Sequence, residues 1–182
     1  MKIILVYKKY GTLSYLGHLD FQHLWDRIIR ISQLPLDYTE GFHPLMKMNL
    51  LQPLSVGMDG QHEFLHLTLK HTLDQNQIKK TLDPILPEGL SLIKVSETRW
   101  TAKQFHQHKK SVILECTLRN PMPVPHELVA TPIIGVTVIS PEKWRVEITN
   151  TSQEQTNFSR LLLTCAPSVD ILTLKRVRLN YG

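Results

Sequence analysis

The first apolar block, Lys2 to Lys8, is rich in Ile, Val and Tyr and reads as a strand. A glycine-containing loop, Tyr10 to Gly17, follows it. Phe21, Leu24, Trp25, Ile28 and Ile29 then recur at helical spacing, which predicts an amphipathic helix over His18–Ser32. Asp20, His23, Asp26, Arg27 and Arg30 fall largely on its other side, Asp26 and Arg30 form an i,i+4 pair, and Pro35 stops the helix. Leu36 to Thr39 is short and extended. Glu40-Gly41-Phe42-His43-Pro44 is turn-forming, because glycine tolerates positive φ and proline restricts the residue before it. Lys47 to Leu51 predicts a second strand, and the alternation from His62 to Lys70 a third with one buried face. Thr72 and Gln75 have capping-box spacing, which predicts a helix over about Leu73–Ile85. Pro87-Glu88-Gly89 ends it, and Leu90 to Val95 predicts a fourth strand. The expected order, β-α-β-β-α-β, is the ferredoxin-like arrangement: an antiparallel sheet with helices on one face.

Periodicity then lapses. Residues 98–110 read as a polar, basic connector carrying Arg99, Trp100, Lys103, Lys109 and Lys110, so a boundary is expected between a first domain, residues 1–97, and a second, residues 111–182. Ser111 to Leu118 predicts a strand. Ile133–Ile139 and Lys143–Thr149 pair as a hairpin across Ser140-Pro141-Glu142. His126–Ala130 gives at most one helical turn, Thr156–Cys165 predicts a helix, and Val169–Leu179 a closing strand. The fold class expected is α+β: two ferredoxin-like halves, the second β-rich and degraded.

Composition supports a folded, soluble chain. Of 182 residues 42% are apolar, enough for a core, and no run approaches the roughly 18–20 apolar residues of a membrane span. The apolar run at the N-terminus is too short for a signal h-region, so a cytoplasmic protein is expected. Cys116 and Cys165 offer neither a disulfide framework nor a Cys-rich zinc site. Charge is unevenly placed. Residues 1–91 hold nine Lys/Arg and nine Asp/Glu, so the whole net charge of +5 lies in residues 92–182. A basic half suits a polyanion such as RNA, through counterion release, although ordinary surface charge would give the same count.

The densest polar constellation is Tyr15, His18, Asp20, Arg27 and Arg30, then Gly41, Phe42, His43, Pro44 and Lys47. Loops and a helix N-terminus gather there, and a helix N-terminus favours anions. Asp20 in a first helical turn fits a capping or dipole role equally well. No cofactor and no metal are expected: Walker A, dinucleotide GxGxxG, HExxH and a His/Cys quartet are all missing. His62 and His66, four apart in a strand, would stand about 13 Å apart, too far to share zinc. Phe21 and Trp25 are expected in the core. Trp100, between Arg99 and Lys103, either stacks a base or caps the sheet edge.

Ser14-Tyr15-Leu16-Gly17-His18-Leu19-Asp20, followed by Arg27, Arg30, Leu34-Pro35, Tyr38, Gly41-Phe42-His43-Pro44, Leu54, Val56-Gly57 and Glu63, resembles the bacterial radical-SAM-linked domain of unknown function. The match is dense over about residues 10–70 and looser beyond. Gly17 stands where that family usually has Ser, and Leu45-Met46 where a Pro-basic pair is common, with Lys47 as the nearest basic residue. The resemblance implies RNA- or ribosome-linked work beside a radical-SAM protein. The chain has no CxxxCxxC, so the cluster would belong to a separate partner.

Three readings follow. The leading one is an RNA-binding or substrate-presenting accessory module for a radical-SAM protein, with Arg99, Trp100, Lys103, Lys109, Lys110, Lys175, Arg176 and Arg178 on RNA. Lys175 and Arg176 alternate in the closing strand, so both can line one surface only where the strand bulges or forms an edge. The second is a metal-independent ribonuclease of the repeat-cleaving type, by fold analogy. There His18 or His43 would be acid or base, Tyr15 would assist, and Lys47 or Arg30 would stabilise the phosphorane. The third is a protein-interaction scaffold built on the Gly-Phe-His-Pro turn.

Overall fold

A computed structural model describes residues 1–125, 133–149 and 170–181. The chain runs β1 (Lys2–Lys9), α1 (His18–Ser32), β2 (Met48–Leu50), β3 (Asp59–Thr68), α2 (Gln75–Leu82), β4 (Leu90–Glu97), α3 (Ala102–His108), β5 (Lys109–Leu118), β6 (Ile133–Ser140), β7 (Lys143–Thr149) and β8 (Ile171–Tyr181). It is a mixed α+β chain built on one large, mostly antiparallel sheet. Its order is β4-β1-β3-β8-β5-β7-β6, with β2 also on β3. The helix predicted over His18–Ser32 has those bounds, and the β6–β7 hairpin forms as expected. The helices expected at His126–Ala130 and Thr156–Cys165 lie outside the described residues.

Two expectations are corrected. Separate sheets do not form: β3 and β8 join the first and second halves of the chain in one sheet, through the parallel pairs Asp59↔Lys175 and Gly60↔Arg176. The outer edge of β3 is divided, with β2 opposite Leu65 to Leu67 and β8 opposite Asp59 and Gly60. Nor are the helices confined to one face. Ile3, Leu5 and Tyr7 of β1 pack in a core with Phe21, Trp25, Ile28 and Ile29 of α1 and Ile78 and Leu82 of α2. Ile4 and Val6 point the other way and pack with Phe105 of α3. A strand buried on both faces reads as a continuous apolar run, which is what Ile3 to Tyr7 is.

The segment read as a connector is therefore α3 and the start of β5. Thr101 accepts from the Gln104 backbone N–H and the Gln104 side chain returns to the Thr101 N–H, a complete capping box. Seven residues with one buried apolar side chain are too few to show a period. The capping box expected at Thr72 and Gln75 is replaced by Asp74, whose carboxylate accepts from the Gln77 N–H at 2.9 Å. A third core lies between Val112, Leu114 and Cys116 of β5, Trp144, Val146 and Ile148 of β7, and Leu174 and Leu179 of β8. Among the described residues, no helix is long and apolar enough to cross a membrane.

Candidate functional site

Three places carry the chemistry. The first is the junction of the two halves. Strand parity turns Lys9 to the same side as Ile3, Leu5 and Tyr7, so its stem is buried and its ammonium reaches the start of α1. There Nζ donates to the Leu16 carbonyl at 3.2 Å and stands 4.3 Å from the Phe21 ring centre. From β8 the fully buried Arg176 crosses to β3. Its Nε donates to Glu63 Oε1 at 2.9 Å, a second nitrogen donates to Glu63 Oε2, and the Gln52 and Pro53 carbonyls accept two more of its N–H groups. A bidentate guanidinium–carboxylate pair is the strong form of this contact. Burial lowers the Lys9 ammonium pKa; Glu63 and Asp59 oppose the shift and Arg176 adds to it. Burial likewise pushes the Tyr7 phenol up, with Glu63 adding to the effect. The hollow against Lys9, Glu63 and His18 is about 10 Å³, room for about one water molecule. The junction is a clamp with no room for a substrate.

The second place is an open groove of about 360 Å³ beside it, within the size range of ligand sites. Tyr15, Ser14 and Asp59 form one wall, and Thr117, Lys143 and Lys175 of the second half form the other. The Ser14 hydroxyl donates to Asp59. Tyr15 is 73% exposed and projects its ring over the groove wall; the open backbone at Gly57 (φ +82°) lies beside it, where a Cβ would come 3.9 Å from the ring.

The third place is the Gly41 to Pro44 turn. Its base is a narrow ladder: Tyr38 bridges Met46, the Thr39 N–H donates to the Leu45 carbonyl at 2.8 Å, and the Leu45 N–H donates to the Thr39 hydroxyl at 2.9 Å. Gly41 takes φ +119°, which the turn needs glycine to adopt. Gly41, Phe42, His43 and Pro44 are all exposed, Phe42 completely.

The expected residues are thus distributed. His18 lines the small hollow and Tyr15 the groove, while Gly41 to Pro44 line neither. Asp20 is exposed in the first turn of α1, whose N-cap is Gly17. Arg27 is exposed, and Arg30 is bound to Asp26 at 2.8 Å, as their spacing predicts. Lys47 is held by Asp37 at 2.6 Å, which keeps the Asp37 carboxyl below its usual range. Among the expected RNA contacts, Arg176 is corrected: fully buried, with four of its five N–H groups on Glu63 and two carbonyls, it is not at the surface to meet a phosphate. Trp100 packs edge-on against Phe105, and one of its faces is covered by the stacked His108 ring, 4.6 Å away. Its carbonyl accepts from His66 Nε2 at 3.1 Å, and burial lowers the His66 pKa. Lys109 is half-buried and donates to the Gln52 side chain at 3.1 Å. Arg99, Lys103, Lys110 and Arg178 are exposed, and Lys175 is partly so.

Lys9, Asp59, Lys143 and Arg145 were not singled out by sequence reasoning. A signal for Lys9 existed in the parity of β1: a strand that turns Leu5 and Tyr7 inward turns Lys9 inward too. His62 is exposed and His66 buried, and among the described residues no cluster of three or more His, Cys, Asp or Glu is placed to hold a metal.

A bacterial family described as an uncharacterized protein conserved in bacteria (DUF2344) matches the chain over residues 2–176. No curated protein matches it.

Proposed function

We propose, from the premise that the chain belongs to this uncharacterized bacterial family, that it is a non-catalytic accessory module bringing an RNA to a separate radical-SAM protein in the cytoplasm. The observation that carries the reading is Phe42, wholly in water at the tip of a turn whose base is pinned by hydrogen bonds. A large side chain held out on a fixed base suits capture by a partner's pocket. Tyr15, Leu19 and Val56, from the other segments that carry the family resemblance, are exposed as well. The basic balance of residues 92–182, which hold the whole net charge of +5, supplies the sequence-independent part of RNA affinity. Element order β-α-β-β-α-β and the antiparallel order β4-β1-β3-β2 support a ferredoxin-like first half. The ribonuclease reading is disfavoured by Lys47, whose ammonium is engaged by Asp37.

The test is capture from native cells with the tagged chain. The wild type is expected to retain a protein with the CxxxCxxC cluster motif, and Phe42→Asp to lose it at least tenfold with an unchanged unfolding midpoint, since Phe42 buries nothing. Failure to retain such a protein, or undiminished capture by Phe42→Asp, overturns the docking role.

A further inference from the structure

Strands β7, β5 and β8 carry a grid of polar side chains on the face opposite their apolar core. Cross-strand partners share a face, so the register can be read in rows. One row is Arg145, Glu115 and Lys175; the next is Lys143, Thr117 and Thr173; on the other side comes Glu147, Ile113 and Arg178. The opposite face is Val112, Leu114 and Cys116 with Trp144, Val146 and Leu174, all buried. Simple alternation would put Arg178 on that core side with Arg176. A bulge between the pairs Ile113↔Arg178 and Leu114↔Arg176 inserts Val177 and returns Arg178 to the face of Lys175.

The grid holds four cations against two carboxylates. Both acids are already engaged: Glu115 binds Lys143 at 2.9 Å and Arg145 at 3.4 Å, and Glu147 accepts from Ser111 and Asn180. Burial pushes the Glu115 carboxyl up, but these cations outweigh it and hold the pKa below its usual value, so it stays ionised. Among the described residues neither Lys175 nor Arg178 has an ion-pair partner. Neighbouring rows lie about 7 Å apart and β7 and β8 roughly 10 Å apart. The hydroxyls of Thr117 and Thr173 sit among them, and the groove beside them ends at the exposed ring of Tyr15.

We infer that this face, with Tyr15 at its edge, is a platform for single-stranded RNA: phosphates lie on Lys175 and Arg178, and a base stacks on Tyr15. The inference rests on the RNA-carrying reading and locates its site. A flat array of separated cations suits an extended backbone, and a free aromatic face takes any base, whereas an acidic peptide has no use for the ring.

The test is a titration of fluorescent oligouridylate against the full chain at several salt concentrations. Each lost phosphate contact removes about 0.7 from the salt slope. Lys175→Gln with Arg178→Gln is expected to flatten the slope by about 1.4, and Tyr15→Ala to weaken binding roughly tenfold at every salt concentration. Lys103→Gln with Lys110→Gln, away from the grid on the α3–β5 segment, is expected to change the slope by less than about half as much. Wild-type binding that neither grid variant alters, or a larger loss in the Lys103/Lys110 variant, overturns this face and leaves the RNA-carrying reading standing. Displacement by polyglutamate as effective as by oligouridylate, with no effect of Tyr15→Ala, overturns the choice of RNA. Absence of wild-type binding overturns both.

Discussion

Replacing Arg176 by methionine removes the contact that ties the C-terminal strand to the first half. The guanidinium of Arg176 is fully buried, bound twice to Glu63 and to the Gln52 and Pro53 carbonyls. Removing one partner of a buried ion pair costs about 3–5 kcal/mol, because the other charge is left uncompensated. Lys9 stays close enough to influence Glu63 and offsets part of this, so the lower end, about 3 kcal/mol, is expected. At an m value of roughly 2 kcal/mol/M, that moves the urea midpoint by about 1.5 M. Glu63→Gln keeps one acceptor and both carbonyl contacts for Arg176 but leaves its buried charge uncompensated, so it should also cost about 3 kcal/mol. The coupling from the double-mutant cycle should reach about 1–3 kcal/mol. Amide exchange at Asp59, Gly60 and Lys175 should accelerate in Arg176→Met, since these residues form the parallel junction. A midpoint shift below about 0.5 M, or zero coupling with Glu63, would refute the clamp.

Gly60 sits against the same carboxylate. A Cβ there would lie 2.5–2.7 Å from the Glu63 side chain, which Arg176 holds in place. Gly60→Ala should therefore cost about 1–3 kcal/mol in urea unfolding and less in the Arg176→Met background, where Glu63 can move; equal costs would contradict the argument. His66 gives a pH dependence. Its folded pKa is lowered, chiefly by burial, so below its unfolded value near 6.5 the unfolded chain binds more protons and stability falls as pH falls. The stability difference between wild type and His66→Gln should shrink from pH 7.5 to pH 5, by at most about 1.4 kcal/mol per pH unit, since one proton is involved. His106, also lowered by burial, is common to both and cancels. A difference independent of pH would exclude His66 as its source.

Periodicity carried the first half well. The apolar stripe from Phe21 to Ile29 specifies α1, and the β6–β7 hairpin follows from alternation around a turn. What failed to show in the sequence depends on long-range pairing. Nothing local marks β8 as the parallel neighbour of β3, 113 residues separate Glu63 from Arg176, and a lone arginine in an alternating strand looks like a surface charge. The short α3 lacked a period to read, and its packing on the second face of β1 rests on Phe105, with the partly buried Ala102 beside it. The motif residues were visible, but their placement was not: His18 and Tyr15 lie at the junction, whereas Phe42 and His43 stand out on their own turn. The bulge at Val177 decides which cations share a face, and it has no sequence signature.

The central claim is that one face docks a radical-SAM partner while another carries RNA, and a single native co-purification tests it most directly by measuring both components from three tagged chains. The wild type should retain a cluster-bearing protein and RNA together, Phe42→Asp should lose the protein and keep the RNA, and Lys175→Gln/Arg178→Gln should lose RNA and keep the protein. Recovery of neither component with the wild type, or loss of both from either variant while it remains folded, would contradict the account.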